Sequence, residues 1–118
     1  MMSTADTAKA FTDMLKAGHH TEAADHFNAA DIISIEPMDG PMARVQGTAA
    51  VKAKSDWWYS AHEVHSASAE GPFINSDQFV VRFQLDVTPK ETGQRMQMAE
   101  AGLYTVRDGK IVEERFFY

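Results

Sequence analysis

The second half of the chain alternates. In "QFVVRFQLDV", residues 78–87, Phe79, Val81, Phe83, Leu85 and Val87 fall on one side, with Val80, Arg82, Gln84 and Asp86 on the other. This is the period-2 pattern of a strand with one buried face. "TPKETG" then turns the chain, and a longer strand is predicted from about Gln94 to Arg107. Asp108-Gly109, flanked by alternating apolar residues, is a strong hairpin signal leading into a last strand, "KIVEERFFY". Upstream, "EVHSASAE" reads as a strand and "GPFINSD" as the turn after it.

The first half has the helical period. Phe11, Met14 and Leu15 share one face of a helix over about Thr4 to Ala17, which Gly18 stops. Thr21 is placed to cap a short second helix whose apolar side is Ala23, Ala24 and Phe27. "DIISIEP" reads as a strand ended by Pro37, which removes a ladder donor. After a loop holding Gly40-Pro41, Gly47-Thr48 opens a third helix, "AAVKAKSDWWYSAH". Helices first and an antiparallel sheet second is an α+β layout, with the inner face of the sheet covered by the helices.

Composition narrows the function. With 118 residues, 44% hydrophobic and 24% charged, the chain suits one core, and residues 1–118 read as a single domain. A net charge of −6 without any cluster of lysine and arginine argues against a nucleic-acid partner. The absence of cysteine excludes disulfides, thiolate metal sites and cysteine nucleophiles. "MMSTADTAKA" lacks the apolar core of a signal peptide and no run is long enough to span a bilayer, so a cytoplasmic protein without a membrane partner is expected.

Three stretches coincide with a known family. "MLKAGHHTEAADHFNAADIISIEP", "VQGTAAVKAKSDWWY" and above all the closing "LYTVRDGKIVEERFFY" together resemble the SnoaL-like branch of the nuclear transport factor 2-like superfamily, over nearly the whole chain. The resemblance implies a cone, in which a strongly curved mixed sheet wraps around three helices and encloses an apolar pocket. It also implies a homodimer through the outer sheet face. Members include cyclases, isomerases, dehydratases and epoxide hydrolases as well as binding modules, so the fold alone does not fix the reaction.

Matching the closing motif turns Tyr104 inward, and strand parity then turns Gly102, Glu100, Met98 and Met96 the same way. Ala99, Ala101, Leu103 and Thr105 become the outer, dimer-like face. The same matching places Glu114, Phe116 and Tyr118 inside on the last strand, and Ile32, Ser34 and Glu36 inside on the first. Glu36, Glu100 and Glu114 thus aim at one apolar interior, where burial and mutual repulsion favour a raised pKa and general acid–base work. The alternative is that these glutamates reach the rim and stay solvated. For Glu114, a one-residue bulge would exchange it with Glu113.

Other candidates follow the same logic. His65 shares a strand face with Ala67 and Ala69 and, if that face is inner, pairs with a glutamate; otherwise it is a half-buried histidine with a backbone partner. Trp57 and Trp58 lie about 100° apart on the third helix, so one packs in the core and the other is left for the pocket mouth or a partner. The five histidines do not assemble a metal pair, and neither metal nor cofactor is expected. Ketosteroid isomerase uses a helix-1 tyrosine and a later strand acid; Phe11 and Gly102 stand in those places here, so that assignment fails.

The candidate catalytic set is therefore Glu100, Glu36, His65 and Tyr104, with Phe11, Trp58, Phe83, Met96, Met98, Gly102, Glu114 and Phe116 lining the pocket. The expected ligand is a small apolar or carbonyl-containing metabolite, handled by a cofactor-independent isomerase, cyclase or lyase. The alternative is a non-catalytic dimeric module that binds a ligand or a protein.

Overall fold

The structure, a computed structural model, describes residues 2–118. Helix α1 (Thr4–Lys16) starts at Ser3, whose side chain accepts a hydrogen bond from the Asp6 amide. It ends where Gly18 takes a φ of 83° and the amides of Gly18 and His19 return to Leu15 and Met14. Helix α2 (His20–Phe27) begins two residues earlier than the Thr21 cap implies, capped at His19, which makes no side-chain capping bond. Strand β1 (Asn28–Ile35) follows without a loop and stops before Glu36-Pro37. A short strand β2 (Arg44–Gln46), invisible to periodicity at three residues, pairs back onto β1. Helix α3 (Thr48–Ala61) leads to β3 (His62–Asn75), β4 (Gln78–Pro89), β5 (Met96–Arg107) and β6 (Lys110–Phe117).

The six strands form one open mixed sheet in the order β2-β1-β6-β5-β4-β3, with β1 and β6 parallel and the other pairs antiparallel. Three helices against this sheet make an α+β cone. "GPFINSD" is mostly strand: β3 runs through Gly71-Pro72 with a register shift between Glu70 and Phe73, and the turn falls at Ser76-Asp77. Gly71 has a φ of 129°, and a Cβ there would sit 2.9 Å from the Val80 carbonyl oxygen.

The inner face of the sheet is legible as rows of paired residues. Ala69, Phe83 and Glu100 are neighbours across β3, β4 and β5. Val81, Gly102 and Phe116 form the next row, and Phe79, Tyr104, Glu114 and Ser34 the one after. Against the last row, α1 and α2 pack an aromatic cluster. Phe11 meets Phe27, Phe79 and Tyr104 edge-on, with centroids 6.0, 5.9 and 5.0 Å away. This end of the cone is solid core, together with Ala8, Leu15, Ile32, Val106 and Ile111. No helix among the described residues is long and apolar enough to cross a membrane.

Candidate functional site

Helix α3 buries only Val51 and Lys54. They are three residues apart on the stripe that continues to the half-buried Trp58, so a lysine is carried to the inner face of the sheet. Lys54 is 9% exposed. Its ammonium donates a short hydrogen bond to Ser34 Oγ and lies 3.3 Å from Glu36 Oε1. Ser34, fully buried, in turn donates to Glu114 Oε2 over 2.8 Å. The Phe116 ring closes one side, its centroid 5.5 Å from the ammonium. Both hydrogen-bonding roles of Ser34 are thus taken, which fits a buried connector and not an exposed nucleophile.

Glu36 sits just past β1, held by its amide donating to the Ala43 carbonyl over 2.8 Å. One carboxylate oxygen faces Lys54; the other, Oε2, is buried without a hydrogen-bond partner. Glu100 lies one row away, in the Ala69–Phe83–Glu100 row. Burial first, then the charges of Glu36 and Glu114, push it up to about 7, while Lys54 works in the opposite direction. Glu114 is also raised by burial, against the Ser34 hydrogen bond and Lys54, which favour its charged form. Tyr104, 3% exposed, is raised well above the usual phenol range by burial and then by the surrounding carboxylates. Its hydroxyl makes no hydrogen bond among the described residues and lies over Gly102, on the side of Glu100.

An open cleft of about 580 Å³ adjoins this cluster without including it. It is bounded by Leu15 at the end of α1, the turn through His19 and His20, Tyr59 of α3, and Val64 and Ala67 of β3. Ala67 pairs with Leu85, which pairs with Met98, one row from Glu100 on the same face. Tyr59 stands between the two regions. Burial and then the charge of Glu100 raise its hydroxyl. Burial lowers His20.

The predicted site residues separate. Glu36, Glu100, Tyr104 and Glu114 lie together on the inner face, with Gly102, Phe83 and Phe116 beside them. A bulge in β6 does occur, between Ile111 and Glu113, and it is what turns Glu114 inward: Ile111 faces Val106 and Glu114 faces Tyr104. His65 does not join them. A register shift between Val64 and Ser66 puts Val64 on the inner face, and the exposed His65 ring contacts Thr88 Oγ1 at 2.7 Å. Met96 is 44% exposed at the rim, Met98 is half-buried, and Phe11 is core. Trp58 stacks on His62, rings 4.4 Å apart, and Trp57 faces solvent. Lys54 and Tyr59 were missed. The only signal for Lys54 was its place on the Val51–Trp58 stripe.

A family model for the SnoaL-like domain matches residues 2–118. The chain belongs to the SnoaL-like family. A SnoaL-like protein of known structure from Mesorhizobium loti, provisionally called a polyketide cyclase and alternatively a carbohydrate phosphatase, is 56% identical, with 99% of this chain and 100% of that chain covered and a TM-score of 0.97. A Bacillus subtilis protein provisionally called an isomerase shares the fold at 19% identity, covering 98% of this chain and 88% of its own, with a TM-score of 0.75. So does a Catenulispora acidiphila protein of ketosteroid isomerase-like fold, solved in complex with trimethylamine, at 17% identity, 98% and 87% coverage and a TM-score of 0.75. No curated protein matches the chain. The last two structures share the fold of this SnoaL-like chain.

Proposed function

We propose that this SnoaL-like protein binds a small cyclic or carbonyl-containing metabolite beside Glu100 and moves a proton on it, as a cofactor-independent isomerase, cyclase or lyase. The observation that carries the reading is Glu100: a carboxyl raised to about 7 among three inward carboxylates, one row along and two strands across from the Ala67 wall of an open cleft. A group titrating near neutral pH is populated in both states, so it can take a proton from a carbon next to a carbonyl and return it elsewhere. The unpartnered Tyr104 hydroxyl is a donor for the oxygen on which charge develops. The phosphatase label of the M. loti relative suits this site less, because Glu36, Glu100 and Glu114 outnumber the single Lys54 and repel a phosphate.

The test is hydrogen–deuterium exchange. Cyclic ketones and 1,3-dicarbonyl compounds are incubated with the protein in D2O and their α-positions followed by NMR. Exchange that is lost in Glu100→Gln supports the reading. Binding of the same compounds without exchange supports the alternative, a dimeric ligand-binding module, which the aromatic filling of the cone around Phe11 also favours.

A homodimer through the outer sheet face belongs to the proposal. That face carries Phe73, Val80, Leu103 and Phe117, and both phenylalanines are exposed.

A further inference from the structure

Three carboxylates converge on one face, yet only one cation is built into them. Lys54 reaches Glu36 directly and Glu114 through Ser34; Glu100 receives neither contact. The asymmetry is set by α3, which brings the ammonium in on the β1–β6 side of the sheet, while Glu100 stands on β5.

We propose that Lys54 is a positioning residue: it ties Glu36 and Glu114 into a fixed ionic chain and so leaves Glu100 as the one carboxyl of the site free to carry and deliver a proton. The inference rests on the acid–base reading above for its purpose, but its physical content is independent of any activity. Around Glu100 the ionisable groups are Glu36 past β1, Glu114 and Tyr118 of β6, Tyr104 of β5, and Lys54 and Tyr59 of α3. Its partner on β4, Phe83, is apolar. Among these groups Lys54 supplies the only positive charge. The proton therefore goes to whichever carboxyl lies farthest from its contacts.

The unpartnered Tyr104 hydroxyl supports the same division. Its ring is buried, and the hydroxyl faces the Glu100 side of the row without a protein acceptor, so an open hydrogen-bonding position of the site lies beside Glu100. A ligand oxygen placed there would meet the mobile proton and a neutral donor together.

The experiment is a carbon-13 NMR titration of the glutamate carboxyls in the intact chain. Glu100 is assigned by comparison with Glu100→Gln. In Lys54→Met the titration of Glu100 moves upward by roughly one pH unit, a tenfold tighter proton; in Lys54→Arg it stays near the wild-type value. Should Lys54→Met fail to fold, Lys54→Gln removes the charge and keeps a hydrogen-bond donor for Ser34 and Glu36, and Glu100 again titrates above wild type. A lysine with a merely structural role would change thermal stability and leave the Glu100 titration where it was. Wild-type titration of Glu100 in Lys54→Met or Lys54→Gln overturns the proposal. Loss of ketone exchange in Glu100→Gln with an unmoved titration would sink this inference and leave the functional reading standing; a moved titration without exchange would do the reverse.

Discussion

The ring of Tyr104 lies across Gly102, so near that a Cβ on the glycine would fall 2.9 Å from the tyrosine hydroxyl and 2.9 Å from a ring carbon. The two residues share the inner face of β5, and the bare glycine lets the ring fold down toward Glu100 while it still packs on Phe11 of α1.

Gly102→Ala forces the ring off its seat. Overpacking of this kind costs about 1–3 kcal/mol, read from urea denaturation, and changes the near-ultraviolet circular dichroism of the tyrosines. Tyr104→Phe keeps the packing with Phe11 and Phe79 and loses no protein hydrogen bond, so its stability stays within about 1 kcal/mol of wild type. If the hydroxyl serves the developing oxyanion, the same variant slows ketone exchange by at least about tenfold.

Glu100 makes stability depend on pH in a definite direction. Its folded pKa of about 7 lies above the ordinary 4.5, so the fold prefers the protonated acid. That contribution is fully present below pH 4.5, shrinks as pH rises, and is gone above about 7. The integrated loss is roughly 3 kcal/mol as an upper bound. Glu100→Gln removes this slope. Urea midpoints measured from pH 4 to pH 8 should diverge between the two proteins across that window, with the variant gaining relative stability as pH rises.

His65→Ala should do almost nothing. The side chain is exposed and its one contact is with Thr88, so the stability change stays within about 0.5 kcal/mol and ketone exchange is unaltered. A strong loss of exchange would mean that the outer face of β3 participates after all.

The outer face predicts the oligomeric state. Light scattering should give a dimer for the native chain. Leu103→Arg, which places a charge between Val80 and Arg115, should give a folded monomer. A native monomer at micromolar concentration would remove the dimer from the proposal.

The alternating strands and the Asp108-Gly109 hairpin were legible because a face buried on one side prints its period directly on the sequence. Glu100 followed from that parity once the family resemblance turned Tyr104 inward, and Glu36 and Glu114 followed from the resemblance itself. Parity failed where a strand carried an extra residue. Ala67 and Ala69 are inner-face residues as expected, but the shift between Val64 and Ser66 hands the next inner position to Val64, so His65 turns outward. Lys54 failed for a different reason. A lysine on a helix is ordinarily a solvated residue, and only the presence of Ser34 and Glu36 across the gap, contacts 18 and 20 residues away in sequence, makes its burial tolerable. No local window contains that information.

The strand order has a consequence for how the protein is made. β6 is inserted between β1 and β5, so Ser34 meets Glu114 across 80 residues of chain. While a ribosome is still synthesising residues 110–117, the first strand has only the three-residue β2 beside it and Lys54 has no completed cluster to enter. The helices and β1 must wait with apolar surface uncovered until the last hairpin arrives. A parallel pairing of such separation closes slowly, so the site assembles only once β6 has been made and has paired with β1.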